Sequence, residues 1–417
     1  MQITPTGPAP AYSLPSLPIR KAAVACGYAA QGLGYAAIMT ALPSFQDTWG
    51  IGDQGVAAIL LGTCVMAGLG SVAADFISVR FGSRIAVSIA LPVQAAAIAT
   101  TAFAPTFSVF IAAVVVYGIG LGIMDAAQTM QGTMLEARTA TPHLGRFFAA
   151  YTAAAALGAV AMSAFLSTSA GAAGALLTAA VVQLAVMAFE VVGLDPSREY
   201  MVTATTDTPT TAAGRQTGAD ASESRIPLPR RAIWMVGITL MAIFMLDSAV
   251  STWSTVYLTD AFDNLANLAP LGYAMYQVTT LISRLVTDRL EIRLGITRLA
   301  LISVGIGIVG CVVVAAIPAF AGAVVGLAIA GIAGGILIPV TFAAAGRILP
   351  ARRDEVIARV NLFNYAGVIL GAGIIGAIAS GPGIGVAFLL PAAGLIAVIP
   401  LTRRLDSTRW KPTETPT

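Results

Sequence analysis

Two carboxylates interrupt stretches that are otherwise apolar: Asp125, inside GIGLGIMDAAQTMQGTMLE (residues 118–136), and Asp247, inside MLDSAVSTWSTVYL (residues 245–258). A carboxylate held in hydrocarbon costs at least a few kcal/mol, so it faces a cavity or a partner. Desolvation favours its neutral form, and a cavity that opens first to one side and then to the other changes that desolvation, so such a group can take up and release a proton. Asp125 and Asp247 are therefore the candidates for proton coupling. The other reading of each is a hydrogen-bonded lock between helices. Polar and aromatic side chains recur at similar depth: Gln31, Gln128, Tyr151, Trp253, Tyr276, Gln277, Asn361, Asn364 and Tyr365. For any one of them an interhelical bond is the commoner role.

These residues need a frame that buries them in lipid. Of the 417 residues 57% are hydrophobic and 10% charged, whereas soluble domains carry roughly 25% charge. A water-soluble surface cannot be made from so few charges. At roughly 20 apolar residues per span the length holds about a dozen transmembrane helices. The sequence thus predicts an all-α membrane protein of 12 helices in two six-helix halves. Cutting at Pro, Gly and charge clusters gives spans over 22–45, 54–79, 84–104, 107–137, 145–168 and 172–193. A second set covers 232–259, 267–290, 297–319, 321–348, 356–380 and 383–402. The halves are 22–193 and 232–402, flanked by tails 1–21 and 403–417 and joined by a Thr-, Ser- and Asp-rich segment, 194–231, that reads as a flexible cytoplasmic linker. The stretch from Ala22 is too long for a signal-peptide core and is read as the first span.

Basic residues set the orientation, because Lys and Arg stay on the cytoplasmic side. Arg80 and Arg84, Arg138 and Arg146, Arg230 and Arg231, Arg293 and Arg298, and Arg347, Arg352 and Arg353 all fall at alternate span ends, with both termini on their side. The opposite loops carry Asp47, Asp53, Asp260 and Asp263 and no basic residue. Both termini are expected on the cytoplasmic side of a membrane that the chain crosses many times.

An internal echo supports the division. DFISVRFGSR (75–84) and DRLEIRLGITR (288–298) follow the second and eighth spans and share an Asp, an Arg five residues on, a Gly two later and a closing Arg. Gly82 and Gly295 permit a tight reversal, while Asp75, Arg80, Arg84, Asp288, Arg293 and Arg298 can meet helix ends and one another. Arg284, Asp288 and Arg289 are placed near the cytoplasmic end of the eighth span as a conformational latch. With no arginine expected at mid-membrane, a strongly anionic substrate is disfavoured. Gly118, Gly120 and Gly122, and Gly367 and Gly371, suit close helix contacts.

With these turns, the two sets of spans and the central loop, the chain resembles the major facilitator superfamily, and within it the bacterial branch grouped with the fucose permeases. ISRLVTDRLEIRLGITR (282–298), GILIPVTFAAAGR (335–347) and NYAGVILGAGIIG (364–376) carry the resemblance further. The chain departs from it at Val79, where the usual turn has Asp, at Thr129, where Asn is expected, and at Asp247-Ser248 and Thr252 in the seventh span. The resemblance implies alternating access around a cavity lined by spans 1, 4, 7 and 10 with 5, 8 and 11. The polar side chains above would then bond and stack on a small, neutral, hydroxylated or amphiphilic solute. Drug-antiporter signatures are missing: Val114 and Val115 stand near where an Arg would be, and AALGAVAMSAF (155–165) lacks the Gly-Pro ending.

Other classes fit less well. Neither Lys21 nor Lys411 sits in a phosphate-cradling loop, which argues against an ATP-driven pump. The one histidine, His143, reads as a solvated loop residue, and Cys26, Cys64 and Cys311 as small hydrophobes, so no enzyme, metal site or cofactor is expected. The expectation is a monomeric secondary transporter whose partners are a small-molecule substrate, protons and the lipid bilayer, with no nucleic acid. The alternatives are a proton-antiport exporter and a non-transporting sensor that uses the linker.

Overall fold

The computed structural model describes residues 15–139, 143–196, 228–349, 353–379, 383–403 and 405. Most of the expected linker and of both tails, with Arg352, lies outside them. Backbone N–H and C=O groups have no water to bond in lipid, so Ala-, Val-, Leu- and Ile-rich segments satisfy them within helices. The N-terminal set is α1 (Leu17–Thr40), the short α2 (Leu42–Trp49), α3 (Asp53–Phe81), α4 (Ser83–Ala102), α5 (Phe107–Thr139), α6 (Leu144–Leu166) and α7 (Gly171–Gly193). The C-terminal set is α8 (Arg230–Ala261), a 3-10 turn (Asp263–Leu268), α9 (Pro270–Leu294), α10 (Ile296–Ala316), α11 (Phe320–Ile348), α12 (Arg353–Ala379), α13 (Ile384–Ala387) and α14 (Leu389–Thr402).

Ten helices among the described residues are long and apolar enough to cross a membrane. Two of the twelve expected spans fall short of that measure. The helix α9 carries Arg284, Asp288, Arg289, Glu291 and Arg293, and the apolar part of α12 is confined to Leu362–Ile378. The expected straight span 22–45 is broken after Thr40, where Pro43 opens α2. A proline cannot donate to the preceding turn and is tolerated at a helix start.

The long helices alternate in direction, while α2 continues from α1 through Ala41 and α14 from α13 through Phe388, both in right-handed helical conformation. Arg80, Arg84, Arg138, Arg146, Arg293, Arg298 and Arg347 therefore gather at one end of the bundle, the basic end, and Asp47, Asp53, Asp260 and Asp263 at the other, the acidic end. At the basic end a single glycine joins α3 to α4 and another joins α9 to α10. Gly82 has φ 95° and Gly295 φ 77°, conformations that L side chains resist. Close packing within each set depends on missing side chains. A Cβ on Gly122 of α5 would lie 2.8 Å from the Ala67 Cα of α3, and one on Gly371 of α12 would lie 2.9 Å from the Ala249 N of α8.

Candidate functional site

Asp125 lies on α5 about 21 Å, at 1.5 Å rise per residue, from the helix end at Thr139. It is nonetheless exposed, and so is Thr129 one turn on, with Thr133 partly so. Residues four apart share a helix face, so these three form one accessible polar row running from mid-height toward the basic end. From α1 the buried Gln31 donates its Nε2 to Asp125 Oδ1. One turn nearer the basic end, the hydroxyls of Tyr28 and Thr129 are 3.5 Å apart.

Asp247 lies near the middle of α8, about 26 Å from its basic end at the same rise per residue, and is half-buried. The fully buried Tyr276 of α9 donates its hydroxyl to Asp247 Oδ1 at 2.7 Å. The two carboxylates thus have the same construction, each receiving a neutral donor from a crossing helix of its own set. Between them stands Tyr35 of α1, within electrostatic reach of both, donating to Ser251 Oγ across the sets at 3.4 Å. Tyr151 packs beside Tyr35, ring centroids 6.4 Å apart, and the half-exposed Tyr365 of α12 comes within electrostatic reach of Asp125.

Arg284 departs from its expected place. It is about 15 Å from the basic end of α9 and about 21 Å from the other, well inside the bundle. Its Nη1 donates to Thr152 Oγ1 on α6 at 2.8 Å, and Asp247 feels its charge. The expectation of no arginine at mid-height therefore fails: the long apolar start of α9 carries Arg284 deeper than its distance from the charged tail of the helix suggests. Among the described residues neither Asp288 nor Arg289 makes an ion pair to complete the expected latch.

Other side chains singled out in the sequence face elsewhere. Trp253 is wholly buried, its Nε1 bonded to Ala372 O at 3.0 Å, because its indole fills the α8–α12 contact. Gln277 bonds Tyr273 on its own helix at 2.8 Å. Gln128 donates to Glu190 of α7 at 2.5 Å, both wholly buried. The Oδ1 of Asn364 is buried without a partner, and the side chain of Asn361 lies outside the described set. At the basic end Asp75 and Arg80 are exposed, with Arg80 over the Phe81 ring at 5.6 Å, and Arg84 is half-exposed. Ion pairs formed at that end among the described residues join Arg347 to Glu291 and both Arg20 and Arg138 to Asp195; the sequence reading passed over Glu291 and Asp195. His143 is buried rather than solvated: its backbone N–H caps α6 onto the Glu136 carboxylate at 2.5 Å, which draws the ring against Phe147.

Reading the sequence missed Tyr35 and Glu190, and singled out Thr129 only as a departure from the family pattern. Thr129 was visible as the residue one turn after Asp125, and Glu190 as a lone carboxylate ending an apolar run. Nothing local marked Tyr35, whose role comes from where α1 crosses between the sets.

At the acidic end the sets are tied together. Ser163 Oγ donates to Asn267 O at 2.7 Å and Asn267 Nδ2 to Ser167 Oγ at 3.0 Å. Gly376 of α12 sits so close to α3 that a Cβ would be 2.8 Å from Ala57 Cβ and 3.0 Å from Asp53 O. A depression of about 400 Å³, bordered by Asp47, Gln46 and Asp260, lies outside this seal and away from Asp125 and Asp247.

The family model described as Major Facilitator Superfamily matches residues 24–327 and, overlapping them, 266–417. An MFS-type transporter of Yersinia pestis is 23% identical over 377 residues, 89% of this chain and 90% of the relative. Membrane protein MosC of Rhizobium meliloti is 25% identical over 383 residues, 90% of this chain and 87% of that protein. Among solved structures, the D-xylose-proton symporter superposes with a TM-score of 0.71 at 14% identity, over 93% of this chain and 98% of that one. The nucleoside transporter NupG superposes at 0.68 with 13% identity, over 94% and 100%. At these identities the structures establish a shared fold.

Proposed function

The chain belongs to the Major Facilitator Superfamily, as a multi-pass membrane protein of a transporter family, and from that premise we propose that it carries a small organic solute by proton-coupled alternating access. The observation that carries the reading is the matched pair of carboxylates. Asp125 and Asp247 come from different sets of helices, each held by one neutral donor, Gln31 or Tyr276, on either side of Tyr35. A neutral donor steadies a carboxyl without fixing its charge, unlike a salt-bridged partner, so protonation can follow the wetting of the cavity. Tyr151 and Tyr365 supply hydroxyls and ring faces for the solute.

In this reading α9, α12 and the broken α13–α14 complete twelve spans. Residues 22–193 and 232–402 are the rocking halves, and a monomer lies in a bacterial inner membrane with the basic end and both termini in the cytoplasm. The seal at the acidic end and the accessible polar row from Asp125 toward the basic end describe a cytoplasm-facing state. The Gly82 and Gly295 turns and the arginines around them form the opposite seal when the halves rock.

The test is solute accumulation in proteoliposomes under an imposed pH gradient, using a metabolite panel. Asp247→Asn and Asp125→Asn should each abolish pH-driven accumulation while solute exchange without a gradient survives. If both variants accumulate solute as the parent does, the coupling assignment is wrong. The direction in which the gradient drives the solute separates uptake from export.

A further inference from the structure

We propose that Arg284 binds an anionic group of the cargo, so that the solute is a hydroxylated monocarboxylate of the sugar-acid or hydroxy-acid class. This deepens the transporter reading and rests on it.

A guanidinium placed well inside a membrane bundle is costly unless something uses its charge. At the basic helix ends the chain pairs arginines with a carboxylate: the half-buried Arg20 and the exposed Arg138 both converge on Asp195, at 3.4 and 2.9 Å. Arg284 is treated differently. Its hydrogen-bond partner is the neutral hydroxyl of Thr152, and no carboxylate lies within ion-pair distance of it among the described residues. Asp247 is near enough to feel the charge, but its Oδ1 already accepts from Tyr276. Of five N–H donors, one is used. Neither Nε nor Nη2 is among the buried side-chain atoms lacking a partner, and the residue is half-buried. The rest of the fork of Arg284, which lies near Asp247, is therefore left for a partner from outside the protein.

The chemistry of the surroundings narrows the anion. One planar fork matches one carboxylate in two parallel bonds. A phosphate monoester would bring a dianion into a cavity where Asp125 and Asp247 already outnumber the single guanidinium. A monocarboxylate leaves hydroxyl groups to be taken by Asp247, which lies near Arg284, and by Tyr151 and Tyr365, which lie near Tyr35 and Asp125. This replaces the neutral solute expected from the sequence.

The full-length protein, purified in detergent, is titrated with three compounds on one skeleton: D-galactose, D-galacturonate and D-galactosamine. Thermal unfolding reads the affinity, with sodium chloride controlling ionic strength. Galacturonate should bind at least tenfold more tightly than the other two. Arg284→Gln should weaken it roughly a hundredfold, the range expected for bonds to a charged group, while Arg284→Lys keeps part of the preference because it retains charge but not the fork. Thr152→Val removes the bond to the neighbouring helix and should leave the carboxylate preference in place. The assignment is overturned if galactose or galactosamine binds as well as galacturonate, or if none of the three binds. It is equally overturned if Thr152→Val abolishes the preference as fully as Arg284→Gln, which would make the arginine a latch. A neutral or amino sugar that drives proton uptake into proteoliposomes would overturn the anionic class and leave the transporter reading standing.

Discussion

Gly27→Ala should be among the most damaging single-methyl additions in the N-terminal set, and Glu190→Ala should relieve it. Helix α1 passes over the bond between Gln128 and Glu190 at Gly27. A Cβ there would overlap Gln128 Nε2 and Glu190 Oε1 and come within 2.7 Å of Gln128 Cδ. Both side chains are wholly buried, and Gln128 Oε1 and Glu190 Oε2 have no partner to spare. Separating the pair orphans polar groups at about 1–3 kcal/mol, and crowding the crossing adds about 1–3 kcal/mol. Gly27→Ala should therefore cost about 2–6 kcal/mol. Glu190→Ala alone leaves Gln128 without an acceptor and should cost about 2–3 kcal/mol by the same principle. In the double variant Gln128 can swing into the space Glu190 vacates, so the total should stay near 3–4 kcal/mol, a coupling of about 2–3 kcal/mol. SDS titration in mixed micelles, followed by helical circular dichroism, measures all three. If the two substitutions add to within about 0.5 kcal/mol, or if Gly27→Ala is silent, the crossing is not packed as described.

The accessible polar row running toward the basic end predicts that Thr129→Cys, in a protein whose Cys26, Cys64 and Cys311 are replaced by alanine, reacts with a membrane-impermeant thiol reagent offered at that end; protection equal to that of a buried cysteine would refute that access. Gly376→Val should hold the acidic end apart, because its side chain would meet Ala57 and Trp253, and spin labels across that end should report a longer mean distance than in the parent. Asp195→Asn should cost about 3 kcal/mol, since it removes the nearly buried charge that Arg20 and Arg138 share. By contrast, Glu291→Gln, which breaks an exposed pair, should cost less than about 1 kcal/mol and lose even that at high salt. Equal costs for the two would refute the difference in burial.

Part of the site was legible because membrane chemistry writes it into single residues. A charged side chain in an apolar run stands out whatever its neighbours, and Asp125 and Asp247 each take a neutral donor from a crossing helix inside the bundle. Trp253, Gln128 and Gln277 carried the same polar or aromatic signal yet are spent on contacts within one set of helices. The difference is rotational: 100° around a helix separates a cavity face from a packed one, and in helices apolar on every side no periodicity marks which face is which. Arg284 shows the same limit along the helix axis, where counting back from a charged tail misjudged how far α9 extends beyond it.

The sequence by itself determined that this chain lives in lipid, that its arginines gather at alternate helix ends, and that glycines hold the turns at 82 and 295. Composition, charge placement and backbone sterics are local properties, and lipid enforces them residue by residue. Only the tertiary structure decided which helices cross, and so which donor meets which carboxylate. The bond of Gln31 to Asp125 spans 94 residues, and that of Arg284 to Thr152 spans 132. Such pairings are set by the packing of whole helices, through side chains that each have several equally polar alternatives in the sequence.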